Sequence, residues 1–208
     1  MKKKIGETSY KETVFGIIPR SKLIPLEIEG IKRAWDFVIK RSSHSKINIT
    51  PDLIQKLHEV GFKWIFPKYG GEFRKIEVEV SNHIPPKFYL IPQFILDYTN
   101  DLEIRLKNLP ELKNKNFIKE LISLIAWAHH RFLWIHPFQD YNGRIGRLLN
   151  NIICINLNLP PIELKVETKA GRKRYIEALQ QADNGNYKAL EKIIRSAIEE
   201  SVREIENG

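Results

Sequence analysis

The chain has 208 residues, 42% of them hydrophobic, and a formal net charge of +9. This length can bury one substantial core, so a single domain is the expectation. No apolar run approaches the roughly 20 residues that a membrane-spanning helix needs, and a single cysteine excludes disulfides and cysteine-rich metal sites.

The charged residues argue against a nucleic-acid-binding protein. Lysines and arginines are mostly interleaved with acids, as in 72–79 and 191–206, which is typical of a solvated basic surface. An acidic target protein or a polyphosphate ligand would suit the net charge equally well. The basic start, residues 1–4, is not followed by the apolar segment of a signal peptide, so we expect a cytoplasmic protein.

Helical periodicity dominates the chain and predicts an all-α bundle. Thr50, Pro51 and Asp52 supply an N-cap, a proline at the first helical position and an acid in the first turn, which mark one helix start. One helix, 115–133, is apolar on nearly every side and should be the central one. In chain order the predicted helices are 29–42, 50–60, 93–107, 115–133, 142–157, 170–183 and 187–205.

Strand alternation interrupts the helical pattern between residues 69 and 89. Ile76, Val78 and Val80 alternate with charged residues, and Pro85 and Pro86 end the pattern. We therefore predict one short, exposed β-hairpin that stands off the helical body.

A loop followed by a helix start carries the most chemistry. Pro137 disfavours a helical conformation for His136, so the central helix should end there and leave the histidine in a loop. The next helix should begin at Asn142 and Gly143, where unpaired amides and the helix dipole favour an anion. This segment predicts a phosphate site beside a histidine.

Three charged side chains fit that site. Arg144 and Arg147 are three residues apart, on one face of the first helical turn, where their guanidinium groups can bind further phosphate oxygens. Asp140 could hold a magnesium ion that bridges the phosphates, because Mg²⁺ favours one or two carboxylates plus substrate oxygens. Asp140 could also cap the helix.

Two alternative interpretations concern the histidines and the tryptophan around the motif. Clustered histidines can bind zinc, and His129, His130 and His136 with Asp140 leave a metallohydrolase as a minor alternative. Trp134 is interpreted as a core residue rather than a base-stacking platform.

The segment closely resembles the signature of Fic-domain proteins, His-x-Phe-x-(Asp/Glu)-Gly-Asn-Gly-Arg-x-x-Arg. Residues 71–74 and 83–86 look like the Fic flap hairpin, and 174–187 look like the C-terminal Fic helices. The layout, from about residue 23 to 198, is similar to the compact bacterial branch called mobile mystery protein B. The matching positions are His136, Phe138, Asp140, Asn142, Gly143, Arg144 and Arg147.

This resemblance implies a Fic-like helical bundle that acts as a Mg²⁺-dependent protein adenylyltransferase. Such an enzyme transfers AMP from ATP to a Ser, Thr or Tyr hydroxyl of a target protein, which could be the enzyme itself. His136 would be the general base and Asp140 the Mg²⁺ ligand. The nucleotide-binding residues would be Phe138, Asn142, Gly143, Arg144 and Arg147. The target-binding flap would comprise Lys75, Ile76, Glu77, Val78, Glu79 and Val80.

The resemblance also implies autoinhibition by a glutamate that pairs with the second motif arginine. Glu29 is the preferred candidate, because Ile28-Glu29-Gly30 resembles the N-terminal inhibitory motif, and Glu206 is the alternative. The single domain 1–208 would then divide into a regulatory segment at 1–48, a Fic core at 49–198 and a helical tail at 199–208.

Tyr141 is the one departure from the signature, which has glycine at this position. If the position requires a positive φ, tyrosine would be strained by about 1 kcal/mol. Doc toxins also lack this glycine and transfer phosphate, but they have lysine where Gly143 stands, and this favours AMP transfer. The alternatives are transfer of phosphate, another nucleotide or phosphocholine, removal of AMP, or a catalytically impaired nucleotide-binding module.

Overall fold

The computed structural model describes residues 10–80, 83–166 and 168–206. Within them, a two-stranded antiparallel hairpin precedes seven α-helices, which confirms the predicted all-α bundle with one short hairpin. A 3₁₀ turn, Phe88–Leu90, leads into the third helix. The elements are β1 (Tyr10–Thr13), β2 (Gly16–Pro19), α1 (Arg20–Ser42), α2 (Pro51–Phe62), α3 (Ile91–Lys107), α4 (Phe117–Ile135), α5 (Asn142–Asn156), α6 (Lys169–Asp183) and α7 (Lys188–Glu206).

Helix α4 is the central helix, as its apolar sequence predicts. Eleven of its 19 residues are buried, and it packs against α3, α5, α6 and α7. The end of α4, and with it His136, is therefore held inside the bundle. None of the helices in the described part of the chain combines the length and apolar character that crossing a bilayer requires.

Helix α1 begins nine residues earlier than predicted, at Arg20 rather than residue 29. Pro25 lies inside it and costs one backbone hydrogen bond. The helix persists because its buried residues form a stripe at spacings of three and four, which packs against the bundle. The stripe consists of Leu23, Glu27, Gly30, Ala34 and Val38.

Glycines allow α1 and α2 to cross closely. A Cβ atom at Gly30 would lie 2.2 Å from the carbonyl oxygen of Gly61, so no side chain fits there. Gly30 is therefore required by helix packing, and this fixes which face of α1 meets the rest of the protein.

The hairpin is not where the sequence pattern places it. β1 and β2 pair Tyr10 with Pro19 and Thr13 with Gly16, whereas the predicted strand region has a single described bridge, between Val80 and His83. The prediction of a hairpin between residues 69 and 89 is therefore wrong. The buried guanidinium of Arg74 accounts for the missing strands. It donates to the carbonyl oxygens of Ile76 and Pro86, which strand pairing in this region would need.

Candidate active site

A cavity of about 530 Å³ opens where the end of α4, the start of α5 and one face of α6 meet. That volume suits a small-molecule ligand. The motif residues that line it include His136, Asp140, Gly143, Arg144 and Arg147, so the structure brings the predicted base, metal ligand and phosphate ligands to one site.

His136 ends α4 in a left-handed conformation, with φ of 50°. Its Nδ1 lies 3.4 Å from the carbonyl oxygen of Leu133. A carbonyl only accepts, so Nδ1 carries the hydrogen and Nε2 keeps its lone pair. Burial lowers the pKa of His136 to about 4, and the charges of Arg74 and His83 act in the same direction. The imidazole is therefore neutral near pH 7 and able to accept a proton.

Two residues predicted to bind nucleotide, Phe138 and Asn142, hold the loop, and Asn142 also lines the cavity. Phe138 is fully buried and stacks on His58 with ring centroids 3.9 Å apart. Asn142 is 1% exposed, and its side chain accepts from the Phe138 amide at 2.9 Å and donates to the Phe138 carbonyl at 2.8 Å. The Phe138 side chain thus lies outside the cavity, and the amide group of Asn142 closes the loop on itself.

His58 supports the loop from α2. Its Nδ1 accepts from the Gly71 amide at 2.9 Å, so Nε2 carries the hydrogen and donates to the Asp140 carbonyl at 3.2 Å. Burial lowers the pKa of His58 to about 3, which keeps the ring neutral. Sequence reasoning missed this role, although a histidine on the apolar face of a short amphipathic helix was a usable signal.

Arg74 ties the flap region to the motif. Its guanidinium donates to the carbonyl oxygens of His136 at 2.8 Å, Ile76 at 2.9 Å and Pro86 at 2.5 Å. Its backbone amide donates to Pro137 at 2.8 Å. Arg74 is only 3% exposed, and its hydrogen bonds hold the flap region beside His136.

Tyr141 has φ of 63°, so the position does require the left-handed region. The cost, about 1 kcal/mol, is offset by packing: its ring stacks on Phe62 at 4.0 Å. Its hydroxyl donates to Oε1 of Glu27 at 2.8 Å. Burial, followed by the bond to Glu27, raises the pKa of Tyr141, so it stays protonated.

Glu27 is a fully buried acid that the sequence did not single out. It accepts from Arg20 at 2.5 Å and from Nη2 of Arg144 at 2.6 Å. Glu29 instead forms a half-exposed pair with Arg33 at 3.0 Å. The structure therefore brings Glu27, and not the predicted Glu29, to the motif.

Arg144 keeps one nitrogen for a ligand. Nη1 of Arg144 is buried and has no hydrogen-bond partner among the described residues. A buried unpaired donor is unusual and suits an anion, such as a phosphate oxygen. Arg147, the other motif arginine, bonds to the hydroxyl of Tyr175, whose pKa burial raises to about 12.

The donor set fits magnesium better than zinc. Within the described ranges, no three His, Cys, Asp or Glu side chains form a group that could hold a metal. His129 bonds to Tyr175 at 2.6 Å and His130 to Asp183 at 2.9 Å, so the zinc alternative loses its ligands. Asp140 lies in the motif loop at the phosphate site and suits Mg²⁺, because that ion is held by one or two carboxylates and keeps waters and substrate oxygens.

A cation already occupies the Asp140 carboxylate. Oδ1 of Asp140 accepts from the Tyr141 amide at 2.8 Å, and Oδ2 pairs with the ammonium of Lys11, which comes from β1. The Asp140 carboxylate thus has one oxygen on a backbone amide and the other on a positively charged side chain.

The cavity also contains residues that the motif did not reveal. Trp134, expected in the core, packs against the core and also lines the cavity. Asp183 of α6 lines the same wall. Trp134 lies two residues before His136, whereas Asp183 is far from the motif in sequence, so no local pattern marks Asp183. Glu206, the alternative inhibitory residue, is exposed at the end of α7.

Comparisons with known proteins identify the family. The model of the Fic/DOC family matches residues 48–154, just over half of the chain and including the whole motif. The chain therefore belongs to the Fic/DOC family. It is 31% identical over 178 residues to the protein adenylyltransferase Fic of Drosophila erecta, covering 85% of this chain and 33% of that protein.

Other relatives share the domain rather than the full length. The protein adenylyltransferase Fic of Nematostella vectensis is 28% identical over 193 residues, covering 92% of this chain and 42% of its own length. The chain thus spans between a third and about two fifths of these curated relatives.

Solved structures show the same fold. Fic-1 of C. elegans (residues 134–508) superposes with a TM-score of 0.67 at 26% identity, covering 86% of this chain and 49% of that one. The Bartonella tribocorum protein BepC, solved with bound AMPPNP, superposes with a TM-score of 0.71 at 18% identity, covering 93% and 94% of the two chains.

Proposed function

We propose that this chain is a Mg²⁺-dependent protein adenylyltransferase of the compact bacterial Fic branch, which transfers AMP from ATP to a Ser, Thr or Tyr hydroxyl. One observation carries the proposal: a neutral histidine and two arginines face one cavity at the start of a helix. The adenylyltransferase relatives and the AMPPNP bound in BepC support the nucleotide.

The chemistry follows from where these groups lie. The acceptor oxygen attacks the α-phosphorus of ATP while its proton passes to Nε2 of His136. The bond from the α-phosphorus to the bridging oxygen breaks, and pyrophosphate leaves. Arg147 and the unpaired nitrogen of Arg144 hold the outer phosphates, and the helix start at Gly143 orients the α-phosphate. A magnesium ion held by Asp140 would neutralise phosphate charge.

The flap at Lys75–Val80 would present the target segment to His136. Residues 75–79 belong to no strand, and Val80 forms only a single bridge with His83, so a peptide could add to the free backbone groups by hydrogen bonds. Arg74 fixes the base of this flap at the carbonyl of His136, which sets the distance between peptide and base.

We assign autoinhibition to Glu27 rather than to Glu29, although Glu27 pairs with the first motif arginine, Arg144, and not with the second, Arg147, as the family resemblance implied. The buried Glu27 carboxylate occupies Nη2 of Arg144, the arginine that would otherwise bind phosphate with both nitrogens. Hydrogen bonds to charged groups contribute about 1.5–3 kcal/mol. Release of Glu27 should therefore strengthen productive ATP binding by about tenfold or more.

A nucleotide sensor without turnover is the second candidate. One observation favours it. Tyr141, which stands where the signature has glycine, donates a hydrogen bond to Glu27, the acid that pairs with Arg144. In such a protein Mg²⁺-ATP would bind but no label would reach a protein.

The experiment is nucleotide labelling of a cell lysate by matched variants. Glu27→Gln removes the charge, Glu29→Gly removes the candidate suggested by sequence, and His136→Ala removes the base. With α-labelled ATP, Glu27→Gln should raise labelling about tenfold, Glu29→Gly should leave it near wild type, and His136→Ala should lower it at least a hundredfold. Circular dichroism checks that each variant folds.

Each other result has a defined meaning. Label from γ-labelled ATP alone would indicate phosphate transfer, and a different mass shift on the target would indicate another group. Labelling that rises only with Glu29→Gly would reject Glu27 as the inhibitory acid. Full labelling by His136→Ala would reject the mechanism, and ATP binding without labelling in every variant would support the sensor.

A further inference from the structure

The N-terminal hairpin brings a positive charge to the carboxylate that we assign to Mg²⁺. Side chains alternate along β1, so that Tyr10 and Glu12 are exposed while Lys11 and Thr13 are partly buried against the protein. The Lys11 ammonium pairs with Oδ2 of Asp140.

The same ammonium lies against an aromatic ring of the motif. It is 5.3 Å from the ring centroid of Tyr141, a cation–π contact. Lys11 is thus held between a carboxylate and an aromatic face, although its own segment is far from the motif in sequence.

Further charges surround this ammonium. The charges of Arg20, Arg144 and Glu27 all act on the Lys11 ammonium, and both arginines pair with Glu27. A divalent cation placed at Asp140 beside these positive groups would be strongly repelled. Lys11 and Mg²⁺ therefore cannot occupy the carboxylate together without a large electrostatic cost.

The hairpin that carries Lys11 is weakly attached. Val14, Phe15 and Ile17 are 56%, 57% and 73% exposed, so the hairpin buries little apolar surface. A two-stranded hairpin is marginally stable by itself, and segments with few buried contacts open at low cost. Its ties to the body include the Val14 amide bond to Ile65 at 2.9 Å.

We propose that the Lys11 ammonium is a built-in substitute for the metal at Asp140, and that the hairpin is a displaceable arm that leaves when Mg²⁺ and nucleotide bind. This inference rests on the proposed function, because it takes Asp140 as the Mg²⁺ ligand. It is separate from the contact of Glu27 with Arg144, a residue that we assign to phosphate binding. Metal binding is coupled in this way to release of the N-terminal arm.

The test measures metal binding rather than turnover. Mn²⁺, a paramagnetic substitute for Mg²⁺, is titrated by electron paramagnetic resonance in the presence of AMPPNP. Lys11→Met keeps the length of the side chain and removes its charge. The matched control, Lys68→Met, removes the exposed ion pair with Glu12, which joins the same strand to the body.

The expected result is tighter Mn²⁺ binding by Lys11→Met, about two- to fivefold as for a partly exposed ion pair, with a clearly smaller gain in Lys68→Met, which loosens the arm but leaves the Lys11 ammonium on Asp140. An equal gain in both variants would show that loosening of the hairpin, and not the charge of Lys11, is responsible, and would overturn the proposal. Unchanged or weaker Mn²⁺ binding in Lys11→Met would overturn it too. In those cases, binding of Mn²⁺ and AMPPNP by the wild-type protein would mean that the proposed function is not overturned.

A second measurement uses the unmodified chain. Acylation of Lys11 by an amine-reactive reagent, followed by mass spectrometry and normalised to the exposed Lys113, should rise when Mg²⁺ and AMPPNP are added together. No rise, in protein that has bound both, would overturn displacement of the arm. Failure of wild type and every variant to bind Mn²⁺ with AMPPNP would overturn both this inference and the proposed function.

Discussion

The motif loop is held from two sides by different kinds of contact. On the side of α2 and the flap, the partners donate hydrogen bonds to backbone carbonyls: the neutral ring of His58 donates to Asp140, and Arg74 donates to His136. On the side of the N-terminal segment, charge pairs dominate, with Lys11 on Asp140 and Glu27 on Arg144.

The contacts on the first side are permanent, whereas those on the second side can be exchanged for ligands. Buried hydrogen bonds to backbone carbonyls have no solvent or ligand competitor, so they set the position of His136 at all times. On the other side, a metal cation can replace the Lys11 ammonium on Asp140, and a phosphate anion can replace the Glu27 carboxylate on Arg144. The first side therefore gives geometry and the second gives regulation.

The largest effect should come from the side of α2 and the flap. Arg74→Ala leaves the carbonyls of His136, Ile76 and Pro86 without their donor, and should lower the free energy of unfolding by about 3 kcal/mol. Urea denaturation followed by tryptophan fluorescence measures this loss. Lys75→Ala, the exposed neighbour, is the control and should change stability by less than about 0.5 kcal/mol. A loss below about 1 kcal/mol for Arg74→Ala would mean that the contacts on the flap side are not permanent.

A smaller effect should come from the residue that joins the two sides. Tyr141→Phe keeps the ring stack on Phe62 and the left-handed backbone, but removes the hydroxyl that bonds to Glu27. The unfolding free energy should fall by about 1.5 kcal/mol, the value for one hydrogen bond to a charged group. Thermal denaturation measures the change, with exposed Tyr89→Phe as the control. If the two variants were equally stable, the hydroxyl would not connect α1 to the motif.

The smallest effect should come from salt, and it should act on one side only. The Lys11 and Asp140 side chains are 33% and 38% exposed, so high salt should weaken the pair by less than about 1 kcal/mol. Hydrogen exchange of the Val14 amide should then become about two- to fivefold faster, while that of the buried Phe138 amide stays constant. Equal acceleration at both amides would contradict the division into two sides.

The sequence alone was enough for the bundle and for the place of the site. Apolar spacing located all seven described helices, and the Thr50 cap holds as predicted, with its side chain accepting from Leu53. The His136–Pro137 break and the glycine after Asn142 placed the loop and helix start correctly. These features depend on residues within a few positions of one another, so local patterns carry them.

Only the tertiary structure decided which side chains meet. The string Ile28-Glu29-Gly30 pointed to Glu29, but Gly30 serves the close crossing with Gly61, and that crossing turns Glu27 rather than Glu29 towards Arg144. The match to the signature likewise did not show that Phe138 faces the core. Pairing across the bundle depends on how helices cross and which face each one buries, and neither is encoded in the neighbouring residues. For the same reason nothing in the first 20 residues predicted that Lys11 would reach Asp140.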